Sequence, residues 1–288
     1  MSSSKLVIEQ PLRSPNSLNP PAKRSPSLVR VVRRLLVQFA PLLIILLVWE
    51  GLSGSWGKQF QLIEPGLLGK PSEIGQAFIQ LIASGSIFLH IWITVQEAIG
   101  GLLLAIVAGV TVGIALSYSR VASQIALPYI QVLNSIPRIA LAPFFIIWFG
   151  IGLTSKVLLA ALAAFFPIFF TTYQGLQNIQ AELVDAFWVM GASQWQILRM
   201  VILPSVVIWV IAGIRTSLGM ALVGALVAEY IGSNQGLGFL LMSAQGVLNV
   251  DRAWAVLIFL AAIGIFLDGS LQRLESYLLR WKPTQHQP

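Results

Sequence analysis

Residues capable of chemistry are scarce in this chain of 288 residues, and those that gather do so in one interval. Between 176 and 203 stand Gln177, Asn178, Gln180, Glu182, Asp185, Ser193, Gln194, Gln196 and Arg199. Glu182 and Asp185 are three apart, a spacing that puts both carboxylates on one face of a helix. Such a pair would do acid–base work beside a nucleophile or a metal ligand, and neither neighbours it here. No phosphate-binding loop exists: Gly57-Lys58 and Gly69-Lys70 lack the upstream glycine and the following Ser or Thr. The histidines are His90 and His286 alone, with no HExxH arrangement, and there is no cysteine. Disulfides, thiolate metal sites and cysteine nucleophiles are thereby excluded. The expectation is a protein without a catalytic site, a metal or a cofactor of its own.

Two cations need separate treatment. Arg138 and Arg215 fall inside apolar stretches, where an ionisable residue is costly and faces protein or water. Arg215 either lines a path and attracts an anion, or bonds to carbonyls of a broken helix or to a residue of a partner subunit. Arg138 follows Pro137 and either caps free carbonyls at a break or sits in the same path. The aromatic runs Phe144, Phe145, Trp148, Phe149 and Phe165, Phe166, Phe169, Phe170 read as lipid contact or helix packing.

The elements that would carry these residues follow from composition. Charged residues make up 10% and apolar residues 56% of the chain, with mean hydropathy +0.80. Soluble domains carry roughly 25% charge, so a soluble globular fold is excluded. Helices of about 20 apolar residues cross a bilayer, and the sequence supplies six: about 35–55, 98–117 with a lead-in from Phe88, 124–149, 157–175, 204–230 and 253–272. Pro128, Pro137 and Pro143 interrupt the third, which should break near Ser135-Ile136-Pro137. In the second, Gly101, Ala105, Gly109, Gly113 and Ser117 recur every four positions and give a smooth face for close packing. Residues 71–81 have the spacing of a short interfacial helix, and residues 239–252 read as a connection. Residues 1–34, rich in Ser, Pro and basic side chains, read as a disordered tail, 35–280 as the membrane domain and 281–288 as a second tail. With the N-terminus inside, 12 of the 18 Lys and Arg lie inside, four outside and two within spans, an inward excess that supports cytoplasmic termini. The net charge of +7 is explained by those basic ends rather than by nucleic acid. The fold class is all-α, a polytopic membrane helix bundle.

The interval 181–199 is amphipathic as well as polar. Residues 181–190 suit a short helix, Gly191 suits its end, and Ser193-x-x-Gln196 is a capping box that starts another. Pro204 marks the start of the fifth span. A small helix tied to two membrane helices is a lever: whatever moves it tilts both. From this pattern alone, an ordinary surface helix and a docking lever stand level.

The same stretch resembles the cytoplasmic signature of ABC importer permeases, Glu-Ala-Ala, three residues, Gly, nine residues, Ile-x-Leu-Pro. Asp185, Ala186, Gly191, Leu203 and Pro204 match; Phe187 replaces the second Ala and Val201 the Ile. Ser135 to Ala140, Ile147 to Gly152, Gly213-Ile214-Arg215, Ala228-Glu229 and Gly236-Leu237-Gly238 are similar to the branch that imports nitrate, sulfonates, taurine and related small solutes. The resemblance spans roughly 60–280. It implies a permease in a bacterial inner membrane, paired with itself or a close homologue. It also implies cytoplasmic ATP-binding subunits that hold the ATP, and an extracytoplasmic solute-binding protein. The docking residues it implies are Glu182, Asp185, Ala186, Phe187, Gly191, Ala192, Ser193, Leu203 and Pro204, which form a cytoplasmic coupling segment over 181–199. The solutes it implies are small anions and some neutral vitamin precursors, and Arg138 and Arg215 lean toward an anion. The alternative is a stand-alone channel or secondary transporter.

Overall fold

A computed structural model of the chain describes residues 28–55 and 65–280. The expected tails fall largely on residues 1–27 and 281–288, outside the described residues. Among the described residues every regular element is helical. They are α1 (Leu28–Glu50), a π turn (Gly51–Ser55), α2 (Pro65–Leu68), α3 (Pro71–Ala83), α4 (Ser86–Tyr118), α5 (Arg120–Ser135), a 3-10 turn (Arg138–Leu141) and α6 (Ala142–Phe149). There follow α7 (Leu153–Gln177), α8 (Ala181–Val189), α9 (Gln194–Ile197), a second π turn (Leu198–Ile202), α10 (Leu203–Gly232), α11 (Leu237–Gly246) and α12 (Val250–Leu278). The chain up to Trp49, carrying most of α1, is one unit; residues from Glu50 onward form a second. Helix α1 begins at Leu28, ahead of the expected span.

Among the described residues, four helices are long and apolar enough to cross a membrane: α4, α7, α10 with its α9 lead-in, and α12. The bent pair α5 and α6 brings the number to five. Six were expected from the sequence. The apolar stretch Ala40–Ser53 of the first expected span is shorter than the others.

The second unit is organised by close contact of α4, α7 and α10. A side chain at Gly101 would put its Cβ 2.5 Å from Ala160 Cβ, and one at Gly224 would lie 2.7 Å from Ala160 Cα. One turn of α7 is thus pressed from both sides, because small residues allow the backbones to approach. The Gly101 to Gly113 stripe runs along Ala160, Ile168 and Thr172 of α7. Equal four-residue steps on both helices make α4 and α7 parallel, and α10 runs the other way. The core continues through Ala98, Leu222, Ala225, Leu237, Leu240 and Phe259. Helix α3 starts with Pro71 at its first turn, where no intrahelical N–H is lost. It packs on α12, with Phe78 stacked on Phe259 at 4.2 Å.

Three boundaries differ from the sequence reading. The second span starts at Ser86, two residues before the expected lead-in from Phe88. Lys156, one of the four cations counted outside and expected with Gly150-Ile151-Gly152 in an outer turn, lies inside α7. The connection 239–252 contains helix α11, because Leu237 and Leu240 have a buried surface to pack against.

Candidate functional site

The polar interval folds as helix, turn, helix. Helix α8 ends in a Schellman motif: Ala192 N–H donates to Phe187 O at 3.0 Å and Gly191 N–H to Trp188 O at 2.9 Å. Gly191 has φ +79, the left-handed region that glycine enters without strain. Next, Ser193 N–H donates to Gln196 Oε1 at 2.7 Å and Gln196 N–H to Ser193 Oγ at 3.3 Å, completing the expected capping box. The second π turn leads to Pro204 in the first turn of α10.

The surface of this segment is unusual for a polar loop. Glu182, Asp185, Ala186, Gly191, Ser193 and Leu203 are exposed, and Phe187, Ala192 and Pro204 are half-buried. Beside them stand Val189 at 89% exposure and Met190 at 73%, with Trp188 and Trp195 also exposed. Ile197 and Val201, by contrast, are buried and anchor the segment.

The broken span builds a second feature. Helices α5 and α6 meet at 86° across Ile136 and Pro137, because proline offers no N–H to continue the ladder. A cavity of about 370 Å³ opens there, lined by Asn134, Ser135, Arg138, Leu159, Met220 and Val223 among others. The Arg138 guanidinium donates to Asn134 Oδ1 at 2.5 Å and lies 5.3 Å from the centre of the Phe166 ring. Arg215 is not among the lining residues. It pairs with two carboxylates of α12, Asp268 at 3.8 Å and Glu275 at 3.5 Å. The structure therefore does not bring the two arginines together.

Sequence reasoning missed a third feature, at the end of α7 and α10 remote from α8. Three successive N–H groups at the start of α11 each meet a side chain. Gly236 donates to His90 Nδ1 at 2.9 Å, Leu237 to Thr94 Oγ1 at 2.9 Å and Gly238 to Glu229 Oε2 at 2.7 Å. These are donors that a helix start leaves without partners. Thr94 in turn donates to Glu229 Oε1 at 2.6 Å. Lys156 Nζ lies 3.0 Å from Glu97 Oε1 and donates to Ser233 Oγ at 2.7 Å. Glu97 is 1% exposed and Glu229 fully buried. Gly236 has φ +104, and a Cβ there would run into the Glu229 carboxylate. The available signal was a carboxylate in each of two largely apolar helices, with a glycine pair after the second.

Comparison with known proteins places these features in a family. Residues 101–279 match the family model described as binding-protein-dependent transport system inner membrane component. The aliphatic sulfonates permease SsuC of Bacillus subtilis, itself described as putative, is 34% identical over 83% of this chain and 85% of its own length. The riboflavin transport permease RibX of Chloroflexus aurantiacus is 35% identical over 84% and 89%. The taurine transport permease TauC of Escherichia coli is 30% identical over 86% and 90%. Among solved structures, an amino acid ABC transporter is 17% identical with TM-score 0.56, covering 71% of this chain and 98% of that one. A MetNI methionine ABC transporter structure is 21% identical with TM-score 0.56, covering 65% and 95%; both likenesses concern the fold. With helices suited to a membrane, a matched family model over most of its length and relatives that span nearly all of it, this chain belongs to the binding-protein-dependent transport system inner membrane components, the permeases of ABC transporters.

Proposed function

We propose that the chain is the membrane-spanning subunit of an ATP-driven importer of a small anionic solute. The observation that carries this is α8: a nine-residue helix between two membrane helices, with Val189 and Met190 held out from the rest of the chain. Exposed apolar side chains clustered on one short element mark an interaction site. Two cytoplasmic ATP-binding subunits, which hold the ATP, dock on the α8 helices of two permease copies. Glu182, Asp185, Ala186, Phe187, Gly191, Ala192 and Ser193 shape that docking surface; Leu203 and Pro204 join it to α10. Closure of the ATP-binding pair moves α8. The motion passes through the Gly191 turn and the capping box into α10, and through Gln180 into α7. The central path then alternates between outward and inward access.

The excess of Lys and Arg in the expected inner segments favours six crossings with cytoplasmic termini. A solute-binding protein delivers solute at the opposite end. The anionic preference rests on the sulfonate and taurine relatives and on Arg138 lining the cavity at the helix break. The test is affinity isolation of the chain from mildly solubilised membranes. ATP-binding subunits should come with it, and the associated binding protein should hold a small anion. Isolation of a permease that moves solute down a gradient with no ATP-binding subunit attached would refute the proposal.

A further inference from the structure

The buried cluster that holds the start of α11 contains one acid oxygen that its neighbours do not satisfy. Glu97 Oε1 faces the Lys156 ammonium at 3.0 Å, but Glu97 Oε2 is buried with no donor. The other carboxyl stands beside it: Thr94, one turn before Glu97 on α4, donates to Glu229 Oε1 at 2.6 Å, and Lys156 bridges Glu97 to Ser233, one turn after Glu229 at the end of α10. Both Glu229 oxygens already accept, from Thr94 O–H and Gly238 N–H. Two bare carboxylates side by side would repel and would leave Oε2 unsatisfied, and a buried carboxylate oxygen without a donor is rare.

The charge count points the same way. Two carboxyl groups face one ammonium. His90 of α4 adds no positive charge, because Nδ1 accepts from Gly236 N–H and so carries no proton. Ser233 and Thr94 are neutral. Arg252 of α12, the remaining charged group that acts on His90, has no hydrogen bond or ion pair to either carboxyl group. With both carboxyls ionised, a net negative charge would sit between α4, α7 and α10, and an unpaired buried ion is strongly disfavoured.

We propose that Glu97 and Glu229 share one proton, forming a buried acid pair that with Lys156 leaves the cluster neutral. The proton on one carboxyl donates to the other, supplying the donor that Glu97 Oε2 lacks. The step is a proton transfer: as the chain folds, one carboxylate oxygen forms an O–H bond with a proton given up by solvent hydronium, which leaves as water. The neutral cluster then holds the Gly236, Leu237 and Gly238 N–H groups without a bare charge among the membrane helices. The inference rests on the cluster and not on the transported solute.

Infrared spectroscopy of the transport complex purified from membranes tests it. The wild-type protein should show a protonated carboxylic C=O band at pH 7 that shifts on exchange into heavy water. Glu229→Gln and Glu97→Gln should each lose that band, because the cluster then holds one carboxylate against one ammonium and is neutral without a shared proton. Lys156→Met should gain intensity, because neutrality then needs two protons. This third variant keeps the test open if a glutamine variant fails to assemble. Absence of the band in the wild type overturns the proposal. So does unchanged intensity in whichever of the three variants assemble.

Discussion

Replacing Val189 and Met190 together by serine removes apolar surface that the permease itself does not use. Neither side chain is buried against another part of the chain. At about 2 kcal/mol for burying a whole valine or methionine side chain, the exposed fractions of 89% and 73% put about 3 kcal/mol at stake when a partner covers them. That is a weakening of docking on the order of 100-fold. The folded permease should keep its stability, since surface changes away from internal contacts stay within about 0.5 kcal/mol. The assay is titration of the purified ATP-binding subunit against permease in nanodiscs, with a parallel thermal melt of the permease alone. Loss of affinity with an unchanged melt is the expected pair of results. Docking within a few-fold of wild type would refute the assignment of α8 as the contact surface. A lowered melt would show that these side chains pack internally, contrary to their exposure.

Further outcomes follow from other contacts. Thr94→Val leaves the Leu237 N–H and Glu229 Oε1 each short of a partner; a loss of about 1–3 kcal/mol should appear in the melt of the purified permease, and no change would deny Thr94 its bridging role. Gly101→Val forces a side chain into Ala160, Ala161 and Val157, whose nearest atoms lie 2.5–2.9 Å from the first added carbon; overpacking of this kind costs about 1–3 kcal/mol, measured by thermal inactivation, and a neutral result would mean that α4 and α7 are less tightly apposed. Arg138→Gln removes the cation that lines the cavity; uptake of an anionic solute should fall by about tenfold or more, the worth of one charge-assisted hydrogen bond, with assembly intact, and unchanged uptake would remove Arg138 from the path.

Much of the molecule was legible in the chain because its signals are short-range. A continuous run of about 20 apolar residues becomes a helix in lipid, since a helix satisfies its own backbone there and the alternative, a closed barrel, needs alternating strands. Pro137 breaks its span wherever that span sits, and the 86° bend follows within two residues of it. The Gly191 turn and the Ser193–Gln196 box involve partners no more than five positions apart, so local sequence alone specified them. The four-residue stripe from Gly101 announced a close helix neighbour, though not that α7 would be the neighbour or that the two would run parallel.

What folding alone decided are the meetings between distant positions. Thr94 reaches Glu229 across 135 positions and Leu237 across 143. Lys156 reaches Ser233 across 77 and turns from an apparent loop cation into the buried counterion of Glu97. Arg215 found its carboxylates on α12, far along the chain. A charge in an apolar helix says that a partner exists, because burial without one is too costly. Which partner it meets depends on how the helices pack, and helix packing is settled by the shapes of whole faces rather than by any local run of residues.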